Sequence, residues 1–193
     1  IQGGVLAGKF DTLNISGKQI PFFSYNFYLT IKLFDYIVWY ADNNPSIPAA
    51  QNVVDKYLAN GGKIFMSMQF PRNPTPEIRD LREFLPVDSI SRLIQVLPTG
   101  VEFVVESGNP ANNGYPTLKT STSVLGNFGL YPNTTLARPI YLSSGTQIPG
   151  HVGFINGNKN LFFFGLPLNK LNGNSNVSQL FEKVLFGEFG ITI

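Results

Sequence analysis

The stretch FDYIVWYADNNPSIPAAQNVVDKYLANGGKIFMSMQF, residues 34 to 70, decides the fold. Asp35 to Tyr40 is a nearly unbroken run of β-branched and aromatic residues, too short for a helix. Such runs fill strands buried on both faces of a parallel sheet. Lys63 to Met68 reads the same way. Between the two runs, Ala50, Val53, Val54, Tyr57 and Leu58 recur at helical spacing. Ser46 is a candidate N-cap, Pro48 falls in the first turn, and Gly61-Gly62 supplies the stop. Two parallel strands joined by one helix in a right-handed crossover satisfy this order.

Towards the N-terminus, Ile1 to Gly8 reads as the tail of a helix feeding a strand at Phe10 to Ile15, which places the first strand of the sheet upstream of residue 1. Ile20 to Leu33 is aromatic, with Pro21 against helix at its start, and reads as a loop and short helix. Towards the C-terminus, the prolines of PRNPTP end any regular element before a short helix at Glu77 to Leu85. From Val87 to Ile148 come short β-type runs, chiefly Leu93 to Leu97, Val101 to Val105 and Pro139 to Leu142, read as an insertion packed beside the main sheet. His151 to Asn156 and Asn160 to Gly165 flank a Gly-Asn-Lys turn and form a late hairpin. Asn174 to Phe189 closes the chain as an amphipathic helix with Val177, Leu180, Phe181, Val184 and Leu185 inward. The 193 residues fit one α/β domain, residues 1 to 193.

Composition narrows the function. Charged residues make up 13% of the chain, about half the usual share, and the net charge is +2 with no basic cluster, so nucleic acid and anionic membranes are not expected partners. No apolar run is long enough for a transmembrane segment. Cysteine is absent, which removes disulfides, thiolate metal sites and a cysteine nucleophile. With a single His and no closely spaced carboxylates, no metal site is expected, and no glycine-rich loop with phosphate spacing marks a cofactor. Low charge, many Asn and Gly residues and the absence of thiols fit an exported bacterial protein: periplasmic, cell-surface or secreted.

The layout FDYIVWY, then a helix, then LANGGKIFMSMQ, then FFFGLPLN before a terminal helix resembles the class I glutamine amidotransferase-like fold. It is most similar to the divergent branch found in exported multidomain bacterial proteins, and more distantly to trehalose-utilisation-type domains. The resemblance covers about a third of the chain and implies a flavodoxin-like parallel sheet with helices on both faces. In active members the strand after the helix ends in a G-x-C-x-G turn, and counting from Gly61-Gly62 puts the nucleophile near Met68. Met66 and Phe70 stand where that turn takes small residues, and Gly165-Leu166-Pro167-Leu168 stands where active members carry His-Pro-Glu. The resemblance therefore implies the fold without the family's chemistry, a pseudoenzyme.

Ligands of doubly wound sheets bind outside the carboxyl ends of the strands. The loops there offer Asp42, Asn43, Asn44, Gln69, Arg72 and Asn73, a polar set suited to a small carbohydrate or a carboxylate, though the same residues serve as ordinary turn formers. Ser67 and His151 are the one pair from which a nucleophilic site can be assembled, with Asp42 or Glu106 to orient the imidazole. Against catalysis, Ser67 is flanked by Met66 and Met68 with no glycine elbow. The aromatic run FFSYNFY either stacks on a sugar or packs against the sheet. The leading expectation is a non-catalytic interaction or structural module, its partners being other domains of a longer parent chain. The alternatives are a carbohydrate or carboxylate binder and a Ser-His hydrolase.

Overall fold

The computed structural model describes residues 11–12, 22–41, 46–69, 85–91, 95–127, 129–146, 148–171 and 174–192. The organising unit forms as its sequence requires. Strand β1 (Tyr36–Ala41) leads into helix α2 (Ser46–Ala59) and strand β2 (Lys63–Met68), and the two strands pair in parallel from Tyr36 opposite Lys63 to Ala41 opposite Met68. Both glycines after α2 are needed. Gly61 takes φ +86°, and at Gly62 a Cβ would collide with the ring of Tyr57, whose hydroxyl donates to the carbonyl of Phe34 at 2.7 Å. Ahead of β1 lies the short helix α1 (Tyr25–Ile31), capped by Ser24, whose side chain accepts from the backbone N–H of Phe27.

The later strands are β3 (Val87–Ile90), β4 (Gln95–Leu97), β5 (Glu102–Val105), β6 (Leu118–Lys119), β7 (Val124–Asn127), β8 (Leu130–Pro132), β9 (Ala137–Ser143), β10 (His151–Asn156) and β11 (Leu161–Phe164). A nine-stranded sheet runs in the order β1-β2-β11-β10-β9-β5-β6, with β8 pairing beside β10 and β3 beyond it, and β4 pairs with β7 apart from this sheet. The class is α/β and the sheet is mixed. Strands β1, β2 and β11 run parallel, whereas β10, β9, β5 and β6 alternate in direction. The late hairpin is β10 and β11. Of the short segments expected beside the sheet, Val101 to Val105 and Pro139 to Leu142 instead extend it, because β9 takes the free edge of β10 and then pairs with β5, whereas the run ending at Leu97 stays apart as β4.

Alternation along β2 divides the core in two. Ile64, Met66 and Met68 face one side, where Ala50, Val53, Val54 and Tyr57 of α2 and Tyr28 and Ile31 of α1 cover them. Phe65 faces the other, where its ring lies 4.7 Å from those of both Phe162 and Phe181. Phe181 belongs to α3 (Asn174–Glu182), which continues as a π-helical segment, Lys183–Glu188, closed by the bond from Phe189 N–H to the Val184 carbonyl. The aromatic run near the N-terminus packs only in part. Phe22 and Phe27 meet Trp39 at 5.9 and 6.1 Å, while Phe23 and Tyr25 stay exposed. The helix expected at residues 77–85 and the strand expected at 10–15 lie largely outside the described residues.

Candidate functional site

The carboxyl ends of β1, β2 and β11 define the sheet edge where a site was expected. Of the polar set proposed there, Gln69 is half-buried just after β2; Asp42, Asn43, Asn44, Arg72 and Asn73 lie outside the described residues. Ser67 is fully buried in β2, on the same side as Phe65, and its hydroxyl donates to the carbonyl of Leu166 at 2.5 Å. Met68, at the place of a family nucleophile, is fully buried as well.

His151 reaches the same edge, since β10 runs antiparallel to β11 and starts where β11 ends. It is not brought to Ser67. Ser67 pairs across to Phe164 and Phe164 to Gly153, so β11 stands between the two side chains, and neighbouring strands are about 4.8 Å apart. The imidazole turns instead towards β5. Its Nε2 lies 3.1 Å from Oε1 of Glu106, one of the two acids expected to orient it. That contact brings opposite charges together when the ring is protonated, but its angles are not those of a hydrogen bond, and both ring nitrogens are closed to solvent. In this arrangement neither ring nitrogen is presented to a substrate.

A second polar cluster, at the opposite edge of the sheet, escaped sequence reasoning. Glu188, at the end of the π-helical segment, has a side chain only 3% exposed. Arg138 of β9 donates to its Oε1 at 2.6 Å and the Tyr115 hydroxyl does so at 3.3 Å. Lys159, in the hairpin turn with φ +53°, places Nζ 3.4 Å from Oε2, and Lys183 lies 3.9 Å from Oε1. Burial alone would raise the carboxyl's pKa, but the hydrogen bond and charge of Arg138, joined by Lys159, hold it below the usual carboxylate value. Burial, and then the charge of Glu188, push the Tyr115 hydroxyl up. A signal was available: Glu188 falls four residues after Val184 and three after Leu185, on the inward stripe of the terminal helix. With every oxygen occupied by a cation or a hydroxyl, the cluster clamps the C-terminal segment to β9 and the hairpin.

Among the described residues, no group of three or more His, Asp or Glu side chains is placed to hold a metal, and no helix is long and apolar enough to cross a membrane. No family model, curated protein or solved structure matches the chain.

Proposed function

We propose that the chain is a non-catalytic structural or interaction module of an exported bacterial protein, built on a flavodoxin-like, amidotransferase-like core. The observation that carries this reading is the bond from the Ser67 hydroxyl to the Leu166 carbonyl inside a fully buried environment. A nucleophile needs a base within reach and an open face towards substrate. Among the described residues Ser67 has neither, and Met68 beside it cannot take the place of the family's cysteine. The order β1, α2, β2 with β11 parallel to β2 supports the core assignment.

The test is turnover of a panel of ester and amide substrates by the wild-type protein and by Ser67→Ala. The reading expects no turnover beyond background from either. Specific hydrolysis that Ser67→Ala abolishes would overturn it in favour of a hydrolase. A melting temperature raised by a sugar or a carboxylate, and no longer raised in Asp42→Ala, would favour the small-ligand alternative.

A further inference from the structure

The two ends of the main sheet differ. At one end β6 is two residues long and carries Lys119, paired with Glu102 at 3.5 Å, a short charged edge of the kind that discourages further pairing. At the other end β1 is six residues long, YIVWYA, with no charge and no proline. Among the described residues nothing pairs with its outer edge. The backbone fixes which groups face outward. Lys63 N–H donates to the Asp35 carbonyl, so Asp35, Ile37 and Trp39 point their peptide groups at β2. Tyr36, Val38 and Tyr40 point theirs away from the sheet.

That outward row reads the same in both directions. Placed antiparallel to itself about a two-fold axis at Val38, the row sets Tyr36 opposite Tyr40, Val38 opposite Val38 and Tyr40 opposite Tyr36. Each of these is a pair that exchanges both N–H···O bonds. Both tyrosines share a face, giving an aromatic cross-strand pair at each end. The surroundings fit. Five of the eight well-exposed large apolar side chains among the described residues, Phe23, Tyr25, Leu33, Phe34 and Tyr40, belong to the α1–β1 segment that carries this edge. Tyr25 leans on Lys56, whose Nζ is 5.1 Å from its ring centre. A stable interface hides about 800 Å² per partner. Phe23, Phe34 and Tyr40 are 74%, 42% and 58% exposed, so at about 150–250 Å² for a whole aromatic side chain they offer about 260–440 Å² towards this, to which Leu33, Tyr25 and the strand itself add.

We infer that a second copy of this chain docks on β1, pairing the two β1 strands antiparallel and joining the two sheets into one. This deepens the module reading by naming a partner. The two are separable: a monomer without hydrolase activity overturns the pairing alone, and Ser67-dependent turnover by a dimer overturns the module reading alone.

The experiment is light scattering across a dilution series with backbone hydrogen exchange, on the wild-type protein, Tyr40→Lys and Val38→Pro. Tyr40→Lys sets a charge on an exposed position, and Val38→Pro deletes an outward N–H without touching the β2 ladder. The expected result is twice the monomer mass for the wild type with slow exchange at Tyr36, Val38 and Tyr40. Both variants are expected to be monomers in which the amides remaining at those positions exchange fast. A wild-type monomer at every concentration overturns the pairing, and so does a dimer that survives both variants. Slow exchange of those three amides in a monomer overturns it too, because the edge is then covered from within the chain.

Discussion

The Ser67 hydroxyl donates to the Leu166 carbonyl at 2.5 Å, tying the end of β2 to the segment after β11 in the centre of the molecule. The bond explains why a serine is tolerated at a fully buried position between two methionines. A buried hydroxyl needs a partner, and here the partner is a carbonyl just past the end of a strand. Ser67→Ala leaves that carbonyl without its donor, at a cost of about 1–3 kcal/mol. The expected outcome is a lower urea midpoint with an unchanged slope. An unchanged midpoint would mean that the bond contributes nothing.

The βαβ unit was legible because each of its signals is local: two short, mostly apolar runs, an amphipathic stripe and a glycine pair whose second member the Tyr57 ring demands. The His151–Glu106 contact was half legible, since the hairpin fixed which edge His151 reaches. Where the hydroxyl of Ser67 points depends on Leu166, ninety-nine residues away, and nothing near Ser67 encodes that. Residues 87–148 resisted for a related reason. Their strands are short, and β5 and β8 take partners, β9 and β10, that are not their chain neighbours. The Glu188 cluster joins a terminal helix, a turn and a strand, so its members carry no shared spacing.

Glu188 makes stability sensitive to acid. Its folded pKa lies below the ordinary carboxylate value, so the folded state binds this proton less readily than the unfolded chain. The stabilisation is present above the unfolded pKa of about 4.3 and is lost as pH falls through the folded value. Glu188→Gln leaves Arg138 without its counter-charge and costs about 3–5 kcal/mol near neutrality, the range for breaking a buried pair. Urea midpoints of the two proteins should differ most at neutral pH and converge in acid. A gap that stays constant into strong acid would exclude the charge as its source.

The alkaline side carries an optical signal. Burial pushes the Tyr57 hydroxyl up to about 12, and Tyr115 and Tyr141 are raised further by the same cause. Raised folded values mean that this contribution is full below about pH 10, the unfolded tyrosine value, and is lost as pH climbs through the folded values. Tyrosinate absorbance should therefore rise in two phases, the later one coinciding with loss of the folded far-ultraviolet signal. Tyr115→Phe and Tyr141→Phe should each shrink the later phase. A single phase near pH 10 covering all eight tyrosines would show these rings to be accessible.

Gly62 tests the packing that terminates α2. A Cβ added there meets the Tyr57 ring, which is buried and held by its bond to the Phe34 carbonyl, so the ring cannot step aside without losing that bond. Overpacking of this kind costs about 1–3 kcal/mol. Gly62→Ala should lower the denaturation midpoint, whereas Gly61→Ala should lower it through the positive φ of Gly61 with no clash, since nothing lies within 4 Å of the added carbon. The two origins separate in a second background. With Tyr57→Leu, which removes the ring, the Gly62→Ala penalty should shrink while the Gly61→Ala penalty stays. Equal penalties for Gly62→Ala in both backgrounds would place its cost in the backbone and remove the ring from the account.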